Sequence, residues 1–254
     1  IIVFAGVYFM AETAKILNPN KKVLIPDIDA GCSLADSCNH NDLKKLKDKY
    51  PDYVVVSYIN CSAEVKALSD IICTSSNAIK IVNSIPKDKG IIFTPDKNLG
   101  NYIKSVTKRD MVIWDGSCIV HEMFSMEKII ELKLLYPNAE VIAHPECKQP
   151  VLNISDFIGS TSAMLKYTAE SKSNEFIVAT EPGIIYQMKK MSPHKKFYIP
   201  QIDDYCNCND CKYMKLTTIE KIYNVLLNES NEIILENELM EKARKSILNM
   251  LEVK

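Results

Sequence analysis

The chain repeats itself. The segment beginning at Tyr50, YPDYVVVSYINCSAEVKALSDIICTSSNAIKIV, aligns without a gap on YPNAEVIAHPECKQPVLNISDFIGSTSAMLKY, which begins 86 residues later at Tyr136. In that register Tyr58 falls on His144, Asn60 on Glu146, Cys61 on Cys147, Asp70 on Asp156 and Ser75 on Thr161. A little further on, IIFTPDKNLGNYI resembles FIVATEPGIIYQM. Two copies of one pattern must fold into two copies of one unit, so whatever topology serves one serves the other.

Each copy runs through a strand into a cysteine: MVIWDGSC ends at Cys118, and FYIPQIDDYCNCNDC ends at Cys211. The opening of the chain fits the same scheme, because IIVFAGVYFM resembles the second half of a copy and KKVLIPDIDAGC ends at Cys32, 86 residues before Cys118. Three modules are therefore expected. The first covers 1–36 together with helices of 215–254, the second 37–122 and the third 123–214. The first module has only its later part in this sequence, so roughly 50 residues of strand and helix are expected upstream of Ile1.

Within the repeat, short β-branched runs alternate with segments of helical spacing. IIVF, KKVLIP, YVVVSYI, DIICTS, GIIFTP, MVIW, EVIAHP, DFIGS, EFIVAT and KFYIP read as strands; MAETAKIL, EVKALSD, NAIKIVNSI, EKIIELKLL and IIYQMKKM read as helices. Strand–helix alternation predicts parallel sheets with helical crossovers, an α/β fold. TTIEKIYNVLL and ELMEKARKSILNML predict two closing helices.

Composition excludes several functions. Thirty-one basic residues against 32 acidic ones leave no field for nucleic acid or an anionic membrane. There is no G-x-G-x-x-G or P-loop among the seven glycines, so the usual nucleotide sites are not expected. The apolar opening is broken by Glu12 and is too short to span a bilayer, and it carries no basic leader. Nine cysteines, an odd number, argue for reduced thiols in a cytoplasmic protein.

Strand ends of α/β sheets deliver functional side chains, so cysteines at equivalent positions of related modules are expected to converge. Three thiolates at one point suit an iron–sulfur cubane, which leaves one iron open to act as a Lewis acid. Cys32, Cys118 and Cys211 are the candidates. Cys61 and Cys73 read as inert packing, and Cys38 and Cys147 as incidental. The string CNCNDC also contains a C-x-x-C, which keeps open a zinc or thiol-redox module centred on Cys206–Cys211.

FMAETAKILNPNKKVLIPD, SYINCSAEVKALSD, TSSNA, PDKNLG, GSCIVHEMF, AHPEC, GSTSAM and CKYM occur together and in this order. In these motifs, over its whole length, the chain resembles the quinolinate synthase family of de novo NAD biosynthesis. The resemblance implies three three-layer αβα modules related by a pseudo-threefold axis, the first incomplete at its N-terminus, and a 4Fe–4S cluster held by Cys32, Cys118 and Cys211. It implies condensation of iminoaspartate with dihydroxyacetone phosphate to quinolinate, with loss of phosphate and two waters. L-aspartate oxidase or aspartate dehydrogenase would supply the iminoaspartate.

Carried over residue by residue, Glu146 matches the family's proton-transferring carboxylate, His144 a substrate-binding histidine, and Tyr58 and Asn60 residues that contact substrate. Ser75, Ser160 and Thr161 are assigned to substrate phosphate or carboxylate, a role compatible with helix capping at the same residues. Two departures stand out. The family's His-Asn-Tyr-Gln strand end and Gly-Asp-Ser helix start have no counterpart here, which admits a shortened, non-catalytic relative as an alternative. The family's C-x-x-C-x-x-C string is C-x-C-x-x-C here, so its redox pairing does not carry over to Cys206 and Cys208, where a disulfide would be strained. Tyr8 and Trp114 receive no role.

Overall fold

The computed structural model describes residues 1–201 and 209–253. It is α/β, with parallel sheets flanked by helices, and it divides into two compact units: 1–116 with 212–254, and 117–211.

In the first unit, β1 (Ile2–Val3) and β2 (Val23–Leu24) form a parallel pair, and β3 (Val54–Tyr58), β4 (Ile71–Cys73), β5 (Ile91–Thr94) and β6 (Met111–Ile113) form a parallel sheet in the order β4-β3-β5-β6. In the second unit, β7 (Glu140–Ala143), β8 (Phe157–Ile158), β9 (Glu175–Ala179) and β10 (Lys196–Tyr198) form a parallel sheet in the order β8-β7-β9-β10. The two orders are the same under the repeat. So is the register: Val56 lies opposite Ile71, and Ile142 lies opposite Phe157, each 86 residues on. All ten runs read as strands from the sequence are strands here.

The shared aspartate explains part of this. Asp70 accepts a hydrogen bond from the backbone amide of Val55 at 2.8 Å, and Asp156 accepts from Val141 at 2.8 Å. Each carboxylate also sits on a residue whose own amide donates to the carbonyl of that same strand residue. Such a reciprocal clamp fixes the register at the start of the returning strand, and a one-residue slip would turn every side chain to the wrong face.

Helices begin where short polar side chains take up the first unpaired amides. Ser62 accepts from Val65 to start Ala63–Leu68, Asp96 from Leu99 to start Lys97–Thr107, Ser125 from Lys128 to start Met126–Leu135, and Thr218 from Lys221 to start Ile219–Asn228. Trp114, unassigned from sequence, donates its indole N–H to the Ser37 carbonyl at 2.9 Å and packs at the margin of the first core. Gly116 is required by close approach, because a Cβ there would lie 2.5 Å from the Pro95 carbonyl oxygen.

The core of the first unit joins Val55, Ile72 and Ile92 of the sheet to Ile16, Leu43 and Val65 of its helices. The last helix, Asn237–Glu252, contributes Met240, Ala243 and Ile247 to that cluster and lies against Ala63–Leu68 and β4. In the second unit, Ile142, Phe176 and Val178 of the sheet pack against Met164 and Met188. No helix of the described residues is long and apolar enough to cross a membrane.

Candidate functional site

The parallel strands of each unit end on the same side of its sheet, so the residues just past them form one rim. In the first unit Tyr58 closes β3, Asn60 lies two residues beyond it, and Ser75 sits in the turn after β4. In the second unit the equivalent places are held by His144 and Glu146 after β7 and by Ser160 and Thr161 after β8. Ser160 is the N-cap of Thr161–Glu170 and accepts from the Ala163 amide at 3.3 Å, so capping is realised there. Thr161 is exposed in the first turn of that helix, and Ser75 is half-buried.

Glu146 stands between two histidines. Its Oε1 is 3.5 Å from Nδ1 of His144, and its Oε2 is 3.2 Å from Nδ1 of His121. All three side chains are buried. The two imidazoles face each other at a centroid separation of 4.9 Å, tilted by 31°. The far nitrogen of His121, Nε2, lies 3.1 Å from Thr180 Oγ1, just past β9. Cys147, next in the chain, turns its thiol to the Ala179 carbonyl at 3.3 Å.

Electrostatics separates the two rings. Burial pushes the His144 pKa down to about 4, more than the charge of Glu146 raises it, and the His121 ring lowers it further. His144 is therefore a neutral imidazole at physiological pH. Burial alone would also lower His121, but the charge of the adjacent Glu146 carboxylate, with the Cys118 thiol beside the ring, outweighs it and holds that ring well above its ordinary value. The pair thus differs in charge although both are buried.

The sequence reading did not assign His121. It sits in the helix Ile119–Glu122, three residues after Cys118, which is the N-cap of that helix. A Cys-x-x-His spacing across one helical turn puts both side chains on one face, and that was the available signal. Cys118, His121 and Glu146 offer ligand atoms within 4.8 Å of one another, a donor set able to hold a metal ion.

The cysteines also sort themselves. Cys32, Cys118 and Cys211 are half-buried, whereas Cys38, Cys61, Cys73 and Cys147 are buried. Burial pushes the thiol of Cys38 up to about 12, that of Cys61 up to about 11 and that of Cys147 up to about 12, and it raises Cys73 further still. Thiols so disfavoured as thiolates are poor ligands. Cys32 is the N-cap of Ser33–Asp36, as Cys118 is of Ile119–Glu122. Cys32 lines a cavity of about 370 Å³ with Tyr8, Glu12, Asp36 and Glu64. Cys206 and Cys208 lie outside the described residues.

A parallel α/β rim carrying a buried carboxylate between two imidazoles, beside a thiol, defines an enzyme-like polar site. The sequence profile of the Quinolinate synthetase A protein family matches residues 1–252. The quinolinate synthase of Microcystis aeruginosa is 58% identical over 253 residues, covering 100% of this chain and 79% of that protein. Those of Synechocystis sp. and Gloeothece citriformis are 58% and 59% identical, covering 99% and 100% of this chain and 79% and 78% of their own length. The chain belongs to the Quinolinate synthetase A protein family.

Proposed function

We propose that the chain is a quinolinate synthase, joining iminoaspartate to dihydroxyacetone phosphate with loss of phosphate and two waters, in cytoplasmic NAD biosynthesis. L-aspartate oxidase or aspartate dehydrogenase would supply the iminoaspartate. The observation that carries the reading is Glu146, a buried carboxylate held within 3.5 Å of a neutral imidazole at a strand end of a chain of this family.

Isomerising the triose carbonyl and closing the ring both require protons to leave and return at carbon and oxygen. Glu146 takes and gives those protons; a carboxylate beside a neutral His144 can do both, because the imidazole offers one donor and one acceptor. His144 orients the substrate through its ring, and Tyr58 and Asn60 contact substrate at the equivalent positions of the other repeat. Ser160, Thr161 and Ser75 bind phosphate or carboxylate. At Thr161 the unpaired amides of a ten-residue helix add to the hydroxyl, which favours an anion without a basic patch.

The family implies a 4Fe–4S cluster, and the chemistry of the donor set fits it. Among the described cysteines, the three at repeat-equivalent positions are those not buried, and the others have thiols pushed well above the range of useful ligands. Cys32, Cys118 and Cys211 would hold it. When bound, such a cluster supplies a Lewis-acidic iron that polarises a carbonyl or hydroxyl for loss of water.

The three-module organisation (1–36 with 215–254, 37–122, 123–214) belongs to this reading too. It is supported by the β1–β2 pair, where Ile2 lies opposite Val23, a spacing of 21 residues that recurs between Glu175 and Lys196 of β9 and β10.

The test is formation of quinolinate by the anaerobically purified protein given dihydroxyacetone phosphate and iminoaspartate generated in place. Quinolinate detected by chromatography supports the reading. Its absence from protein that has taken up the cluster sinks the reading and favours a non-catalytic relative, whereas colourless protein with stoichiometric zinc bound through Cys211 favours a zinc or thiol-redox module.

A further inference from the structure

Among the described residues, a buried nitrogen of His121 has an ion-pair neighbour but no hydrogen bond. Its Nδ1 faces Glu146 Oε2 at 3.2 Å but outside hydrogen-bond geometry, so a ring about nine-tenths buried keeps one nitrogen without a hydrogen bond. A buried polar atom in that condition is costly and would gain from a ligand. The other nitrogen is anchored on Thr180 Oγ1 at 3.1 Å, the kind of outer contact that orients a metal-binding imidazole. Around Nδ1 stand the other donors, the carboxylate of Glu146 and the thiol of Cys118, all within 4.8 Å of one another.

We propose that Cys118, His121 and Glu146 form a mononuclear divalent-metal site in the cluster-free protein, taking Zn²⁺ or Fe²⁺. One thiolate, one imidazole and one carboxylate make a borderline-soft set of three, which leaves a fourth position open. Tetrahedral bonds of about 2.0–2.2 Å put nitrogen and oxygen donors about 3.3 Å apart. The His121–Glu146 separation of 3.2 Å already has that spacing. Binding exchanges the thiol and ring protons for the metal. Because both centres draw on the one Cys118 thiolate, the single ion competes with the cluster for it. This consequence rests on the cluster reading above; the site itself does not.

The full chain, freed of cluster and metal and kept reduced, is titrated with Zn²⁺ against a chromogenic chelator. The wild type should hold a zinc whose affinity falls at least about 100-fold in Glu146→Gln and His121→Ala. It should fall about 10-fold in Thr180→Val, where only the outer contact is lost. Cys211→Ser should keep it. Zinc binding unchanged by Glu146→Gln and Thr180→Val, or a wild type that binds none, overturns the proposal. Glu146→Gln preserves shape, so misfolding of His121→Ala, seen by circular dichroism, leaves the answer intact. A second arm reconstitutes the cluster with iron and sulfide. If no cluster forms on zinc-free protein, the cluster reading fails while the zinc titration still judges the site. If a cluster forms, zinc loaded beforehand should block it in the wild type and not in Glu146→Gln; equal blocking in both counts against the site.

Discussion

Glu146 and Glu12 are both buried carboxylates, and they make opposite demands on the protein. Glu146 has imidazoles on two sides, and replacing it by Gln should lower kcat by about 10²- to 10⁴-fold, the usual contribution of a positioned acid–base group, with KM changed only a few-fold. Steady-state quinolinate assays of Glu146→Gln against wild type check this. Glu12 accepts the Ala63 amide at 3.1 Å, and burial lifts its pKa from 4.5 to about 7, the nearby Lys66 charge offsetting part of the effect. The folded state therefore holds a proton that the unfolded chain has already lost. Stability falls as pH rises from 4.5 to about 7, and the full penalty, about 3 kcal/mol, persists above that. Urea unfolding at pH 5 and pH 8 should show this loss in wild type and not in Glu12→Gln; equal slopes would refute the assignment. At this scale the sequence exposed the residues that lie in recognisable strings, such as Glu146 in AHPEC. It did not expose His121, whose importance lies in meeting Glu146 across 25 positions of chain, a contact that only the packing of Ile119–Glu122 onto the strand ends creates.

The strand pairs were legible because a gapless repeat carries its register with it. Each returning strand starts at the aspartate that the alignment superposed, Asp70 or Asp156, and each carboxylate holds a strand amide at 2.8 Å. Equal geometry at the amide should mean similar energy, the half-exposed ion pair of Asp70 with Lys47 at 3.3 Å adding only a few tenths of a kcal/mol. Asp70→Ala and Asp156→Ala should each cost about 1–1.5 kcal/mol, a charge-assisted hydrogen bond at a solvated strand end, and should agree within about 0.5 kcal/mol in urea denaturation. A large inequality would show that the repeat is one of sequence and not of mechanics. The short helices Ser33–Asp36 and Ile119–Glu122 were not legible, since four residues are too few to show a period. They matter nonetheless, because each starts just after a cysteine proposed as a cluster ligand.

Over the whole molecule, helical spacing predicted Asn237–Glu252 but could not say what the helix covers. Its apolar face, Met240, Ala243 and Ile247, closes the core that holds Val55 and Ile72, so the last segment of chain is structural to the unit that begins at Ile1. Ile247→Ala should cost about 2–4 kcal/mol, a full cavity in a closed core, whereas Leu248→Ala, 39% exposed, should cost under about 0.5 kcal/mol by thermal or urea unfolding. The same distinction between closed and accessible side chains divides the cysteines into packing residues and proposed cluster ligands. The most direct measurement is iron and acid-labile sulfide per chain in anaerobically reconstituted Cys32→Ser, Cys118→Ser, Cys211→Ser and Cys147→Ser proteins. The first three should lose the brown chromophore and most of the iron, while Cys147→Ser should retain the full cluster. Full iron in any of the first three, or none in the wild type, would contradict it.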